Sequence, residues 1–280
     1  MKRRKFMLVI CLFYVLAVIV SSCFTSRMSD DEMRNYFANS SYPPKRHFYE
    51  AIGRQLHYVE TGDSLRQPVL FVHGSPGSWD NFKAFLKDTF LLAHCRLLSV
   101  DRPGFGESEK GGAEDELPTQ AAALLPILQR QNQPVVLVGH SYGGPIIVQA
   151  AMMYPQYIKG LVIVAGSVDP TLEPSNWYRY PLKYTPLRWA IPSFFRSSND
   201  ELLPLKKELK KMAPHWGKVR CPVVIVQGGK DVLVPPDNAK FAKQQLTHVK
   251  VTTIWKENMN HFVPWSDPDL IVEGIKWVLE

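Results

Sequence analysis

Short apolar runs alternate with amphipathic stretches along most of the chain. Val69–Val72, Arg96–Val100, Val135–Val138, Leu161–Val164 and Val223–Val226 are short, rich in branched residues and bounded by polar or turn residues. Runs of that kind predict strands buried on both faces. Arg46–Tyr49 and Arg54–Glu60 predict a pair of strands with Gly53 at their turn, and Val249–Trp255 predicts a last strand. Between these lie stretches that predict helices. They are Trp79–Phe90, Thr119–Gln131, the residues from the elbow after Val138 to Tyr154, Asp237–Gln245 and Pro268–Leu279, with a short helix near Asp31–Ala38. Alternating strands and helices predict an α/β fold, with a mostly parallel sheet covered on both faces.

One stretch breaks this rhythm. Residues 167–204 hold six prolines and seven Trp, Tyr or Phe residues without a clean period. The stretch falls between two predicted core strands, so it is an insertion over the sheet. Its aromatics suggest a cap that forms part of a pocket, since ligands in open α/β sheets bind beyond the carboxyl ends of the strands. The plainer reading is a loop packed for stability alone.

Composition narrows the picture. The chain has 280 residues, is 45% hydrophobic and 21% charged, and suits one large α/β domain or two small ones. Collagen, long coiled coil and wholesale disorder are excluded. The net charge of +7 raises the question of a nucleic-acid partner. However, Lys2, Arg3, Arg4 and Lys5 supply four of those charges, and without residues 1–22 the balance falls to +3. No basic stripe remains that would follow a polyanion, so no nucleic-acid partner is expected.

Those four cations precede an uncharged apolar run, Phe6–Val20. It is short for a bilayer span of about 20 residues but right for the core of an export signal. Val20-Ser21-Ser22-Cys23 follows and resembles a bacterial lipobox. That resemblance implies cleavage before Cys23 and lipid on its thiol. An uncleaved signal anchor is the alternative. Both readings place the body in a bacterial cell envelope, outside the cytoplasm and held to a membrane. The expected division is a signal peptide over 1–22, a lipidated cysteine and tether over 23–45, and a catalytic domain over 46–280 carrying the cap at 167–204. Cys11 lies in the signal segment. Cys95 and Cys221 read as small core residues whose pairing the sequence leaves open. No Cys-x-x-Cys and no paired histidines suggest a metal site.

The strand Val135–Val138 runs into Gly139-His140-Ser141-Tyr142-Gly143-Gly144-Pro145. This is Gly-x-Ser-x-Gly between a strand and a helix, a nucleophile elbow. The chain reverses so sharply at the serine that side chains two residues before and after would collide. The helix that follows directs its positive end at the reacting oxygen.

At this point the chain resembles the α/β-hydrolase family, over residues 46–280. The likeness implies that family's sheet of about eight strands with a small cap. His73-Gly74-Ser75-Pro76-Gly77 resembles the family's oxyanion loop, which implies backbone donors at Ser75 and Tyr142, with His73 as a brace. Asp101-Arg102-Pro103-Gly104-Phe105-Gly106-Glu107-Ser108 resembles a family turn and reads as scaffold, with Asp101 a secondary candidate for the acid. The family order of serine, acid, histidine implies Asp231, after Val223–Val226, as the acid and His261, after the last strand, as the base. Asp169 is the second choice of acid, and Asp237 reads as a helix cap. His47 and His57 precede the sheet proper, His140 points away from its neighbour Ser141, and His94, His215 and His248 read as solvated or capping.

A serine nucleophile argues for acyl transfer rather than the epoxide or halide chemistry of relatives with an aspartate there. The expectation is an ester hydrolase that needs no cofactor and takes a small-molecule acyl substrate. A proline-type aminopeptidase is the sibling reading. It would need cap acids to hold an amine, and Glu173, Asp200 and Glu201 are available, balanced by Arg179, Lys183, Arg188 and Arg196. A non-catalytic binding protein on the same fold is the reading from another class.

Overall fold

The computed structural model describes residues 27–108 and 111–280, together with residues 7, 11, 13–16 and 18. Lys2–Lys5, the lipobox and Cys23 lie outside the described residues. Among the described residues, no helix is long and apolar enough to cross a membrane.

Eight strands form one sheet in the order β1-β2-β4-β3-β5-β6-β7-β8. They are β1 Lys45–Ala51, β2 Arg54–Gly62, β3 Gln67–Val72, β4 Cys95–Asp101, β5 Val135–His140, β6 Ile158–Val164, β7 Val223–Gly228 and β8 Val251–Lys256. β2 runs antiparallel to both β1 and β4, and the remaining neighbours are parallel. Ile52 and Gly53 both take positive φ at the β1–β2 turn, the conformation a two-residue hairpin needs to match strand twist. His47 and His57, expected ahead of the sheet, therefore lie within it.

The uninterrupted apolar runs have a direct reading in the packing. Leu70, Val72, Leu98, Leu137 and Ile163 feed the core on one face, while Val69, Phe71, Leu97, Val136 and Val162 feed the other. Successive strand residues point to opposite faces, so a sheet covered on both sides needs apolar residues at every position. Cys95 belongs to one of these cores and Cys221 to the other. Both are buried free thiols, and the sheet between them settles the open pairing.

From residue 27 on, the α-helices are α1 Asp30–Tyr36, α2 Thr89–His94, α3 Leu117–Gln129, α4 Gly143–Met153, α5 Tyr180–Tyr184, α6 Ser193–Leu202, α7 Leu205–Met212, α8 Asp237–Gln245, α9 Val263–Ser266 and α10 Pro268–Leu279 among the described residues. Ser29 caps α1 in a reciprocal box with Glu32, which fixes its start one residue earlier than the sequence suggests. Asp237 is the first helical residue of α8 rather than its cap, and pairs with Lys240 at 2.6 Å.

The stretch Trp79–Phe90 is not one helix. It forms two 3₁₀ turns, Trp79–Phe82 and Phe85–Lys87, and then α2 begins at Thr89. Trp79, Phe82 and Phe85 are buried at a spacing of three, the period of a 3₁₀ turn. The Asp88 side chain accepts from Leu91 N at 2.8 Å and starts α2 as a new helix.

Between β6 and β7 the chain leaves the sheet and packs α5, α6 and α7 across its carboxyl edge. The strand order places β3 between β4 and β5, so the chain changes direction across the sheet beside β3. Open α/β sheets hold their ligands at such a switch point.

Candidate active site

Ser141 sits where β5 hands over to α4, with φ at +54°. An L-residue rarely adopts that conformation without surrounding support. Here Ser141 N donates to Val164 O at 2.9 Å, while Gly144 N and Ser167 N donate to Ser141 O at 3.0 and 3.2 Å. The flanking glycines are required by contact. A Cβ at Gly139 would lie 2.4 Å from Gly143 O, and one at Gly143 would lie 2.2 Å from Val72 O. A Cβ at Gly74 would come within 2.9 Å of the serine Cβ, so the loop after β3 runs directly against the nucleophile.

Asp231 follows β7 and His261 follows β8. The His261 Nδ1–H donates to Asp231 Oδ2 at 2.8 Å. Asp231 Oδ1 accepts from Leu233 N and Val234 N at 3.0 and 2.8 Å, so its loop fixes the carboxylate. Gly228 lets the two loops approach, since a Cβ there would lie 2.1 Å from Met259 O. Ser141, His261, Ser75 and Tyr142 share the wall of one cavity of about 280 Å³, at the small end for ligand pockets. Both residues expected to present oxyanion donors thus line the same cavity as Ser141 and His261. The secondary acids are occupied elsewhere. Asp169 Oδ1 accepts from Thr171 N and Oγ1 at 2.7 Å. Asp101 pairs at 2.7 Å with His57 rather than His261, and also holds Trp79 N and Glu107 N.

Two histidines not expected to act as bases brace the site. His140 Nε2–H donates to His261 O at 3.0 Å, and its ring lies 4.8 Å from that of His261. Burial first, and then the neighbouring His261, push its pKa down to about 3, so the ring is neutral at physiological pH. The sequence carried no signal that His140 would meet His261, 121 residues on. His73 donates from Nδ1 to Gly74 O at 2.7 Å and accepts at Nε2 from Arg102 N at 3.0 Å. That pattern requires a neutral ring. Burial, followed by the Arg102 charge, holds its pKa well below the usual histidine value.

Arg102 was read as part of a scaffold turn, and its role is larger. The side chain is buried, donates from Nε to His73 O at 3.0 Å and from a terminal nitrogen to Gly74 O at 2.8 Å. It grips the Glu201 carboxylate bidentately at 2.6 and 2.8 Å, and its guanidinium lies 4.9 Å from the Tyr142 ring. Glu201 belongs to α6. The same helix supplies Ser198, whose Oγ accepts from Ser75 Oγ at 2.9 Å. One cap helix is therefore bonded to Ser75 and, through Arg102, packed against Tyr142.

The cap acids divide accordingly. Asp200 is held bidentately by Arg188 at 2.8 and 2.7 Å, and Glu201 by Arg102. Only Glu173 lines the cavity. Ser167 Oγ and Asn176 Nδ2 donate to its carboxylate at 2.8 and 3.3 Å, and burial raises its pKa.

A family model described as "Alpha/beta hydrolase family" matches residues 69–273. Lipase 1 of Psychrobacter immobilis is 26% identical over 75% of this chain and 76% of its own length. A cis-3-alkyl-4-alkyloxetan-2-one decarboxylase of Shewanella oneidensis is 36% identical, but over only 44% of this chain and 39% of its own. Among solved structures, a bacterial membrane phospholipase A superposes with a TM-score of 0.67 at 16% identity, covering 100% of this chain and 98% of that one.

Proposed function

Because the chain belongs to the α/β-hydrolase family and is an enzyme of the hydrolase class, we propose that it hydrolyses carboxylic esters through an acyl-enzyme on Ser141. The observation that carries this reading is the His261–Asp231 bond of 2.8 Å on a cavity wall that also holds Ser141 in a strained elbow. In the proposed cycle Ser141 Oγ attacks the acyl carbonyl and His261 Nε2 takes its proton. Asp231 fixes the tautomer with the proton on Nδ1 and stabilises the imidazolium. The N–H groups of Ser75 and Tyr142 hold the oxyanion, where loss of one such donor costs about 3 kcal/mol. His261 then protonates the leaving alcohol, and water repeats the sequence to free the acid.

Esters are favoured over amides by the cap chemistry. A proline-type aminopeptidase needs anionic charge to hold the substrate amine. Of the three cap acids, two are tied to arginines, and the third is drawn toward its neutral form by burial. The cavity volume suits small or medium acyl groups. Turnover measured across p-nitrophenyl esters of increasing chain length and across proline amides tests this. The reading expects esters to be cleaved and short acyl chains to be preferred. Faster cleavage of proline amides would replace it with the aminopeptidase reading.

The N-terminal reading joins this proposal. Lipid on Cys23 would hold the hydrolase at a bacterial membrane, outside the cytoplasm, and stable anchoring takes more than one acyl chain. Mass spectrometry of the membrane fraction is expected to find a chain starting at a lipidated Cys23. An intact chain from Met1 with a free thiol there would establish the signal anchor instead.

A further inference from the structure

The cap carries a surface that the proposed chemistry does not use. Between Pro174 and Ser198 the chain has seven aromatic residues, four basic ones and no acid. Trp177, Tyr178, Tyr184, Leu187, Trp189 and Phe195 all stand half exposed or more, with Trp177 and Tyr184 at 71%. A water-facing surface rarely groups large apolar side chains so densely without a partner. Two arginines lie among them, the Arg196 guanidinium 5.1 Å and that of Arg188 6.0 Å from the Trp189 ring centre. The segment's own side chains carry four positive charges, on Arg179, Lys183, Arg188 and Arg196, with Asp200 on Arg188 at 2.7 Å and Asp115 3.9 Å from Lys183.

Aromatic rings with polar edges, mixed with long cationic chains, match the interfacial layer of a bilayer. Rings of this kind sit at headgroup level, and each cation near an anionic surface contributes attraction. Two further observations fix how such a surface would be used. Tyr178 and Arg179 also line the Ser141 cavity, and across its mouth Val232 and Leu233 are 88% and 61% exposed. The apolar face therefore continues to the opening of the site. In the uncleaved chain, Tyr14 of the N-terminal apolar run donates its hydroxyl to Pro186 O at 2.6 Å, which sets a described part of that run against the same face.

We infer that the cap segment Trp177–Phe195 is a docking surface for an anionic lipid bilayer, and that it turns the mouth of the Ser141 cavity toward the membrane. Docking stands apart from the hydrolase reading, and only its consequence, delivery of substrate from the lipid phase, rests on that reading. The full-length chain in vesicles of phosphatidylcholine, with and without phosphatidylglycerol, provides the test. Lipid on Cys23, or the apolar run where it is uncleaved, would keep every variant bound, so the readout must be local. Amide exchange across 177–195 is expected to slow about tenfold when phosphatidylglycerol is present, to recover at high salt, and to recover in Trp177→Ser/Trp189→Ser. Exchange that is the same in both vesicles and in that variant would overturn the inference. Protection already present in detergent and rising with protein concentration would also overturn it, and would assign the face to a second copy of the chain. With Ser141 chemistry as proposed, the variant keeps turnover of a water-soluble short ester and loses turnover of one embedded in vesicles. Unchanged exchange effects with no turnover of either ester would instead count against the hydrolase reading alone.

Discussion

Asp231 and Asp101 each hold a histidine, at 2.8 and 2.7 Å, and only position in the sheet separates their roles. Asp231 leaves the carboxyl end of β7 and meets a histidine on the cavity wall. Asp101 closes a buried pair with His57 that locks the turn after β4 and lines no part of the Ser141 cavity. Asp231→Asn is therefore expected to cut ester turnover by about three to four orders of magnitude, because the amide cannot hold the tautomer of His261. Asp169→Asn is expected to leave turnover within a few-fold. Steady-state kinetics of the two variants decide between them, and the opposite ranking would move the acid to the loop after β6. At this scale the sequence named Ser141 by its motif, and Asp231 and His261 through the family resemblance, and the structure brings Asp231 and His261 together beside the Ser141 cavity. The sequence was silent on His140 and Arg102, whose partners are distant in the chain and meet only in the folded state.

The elements show the same division. Strands were legible because both faces of the sheet are buried and every strand position had to be apolar. The first segment after β3 was misread as one helix because its buried residues recur every three positions, and only Asp88 reveals where the true helix starts. The cap was legible as an insertion, but its bond to the oxyanion loop was not. That bond makes a separate prediction for α6. Glu201→Gln leaves Arg102 buried with an uncompensated charge, and breaking one side of such a pair typically costs about 3–5 kcal/mol. Arg102→Met/Glu201→Leu removes both charges and is expected to recover most of that stability in denaturant unfolding. It should not recover kcat, because the carbonyls of His73 and Gly74 lose their donors and the Ser75 loop loses its hold. Full recovery of both would reduce the pair to a packing feature.

For the whole molecule, the buried neutral histidines give a defined acid response. The unfolded chain protonates histidine near pH 6.5, whereas folded His140 resists down to about 3 and His73 is held low in the same direction. Between those values the unfolded state binds more protons, so stability rises with pH through the window. For His140 the contribution is complete above pH 6.5 and is lost as pH falls toward about 3, at up to about 1.4 kcal/mol per pH unit, and His73 adds to it with the same sign. His140→Gln is expected to flatten the slope of unfolding free energy between pH 6.5 and 4.5 by about one proton. An unchanged slope would mean that His140 already carries a proton in the folded protein.

In the proposed chemistry the sheet's switch point, the two loops beyond β7 and β8, and the cap converge on Ser141. Intact-mass and peptide analysis of the full-length chain after a short exposure to a p-nitrophenyl ester or a fluorophosphonate tests that claim most directly. The account predicts one covalent adduct per chain, located on Ser141 and absent from folded Ser141→Ala, which should lose ester turnover by several orders of magnitude. Turnover near the parent rate in folded Ser141→Ala, or an adduct on any other residue that tracks activity, would contradict it.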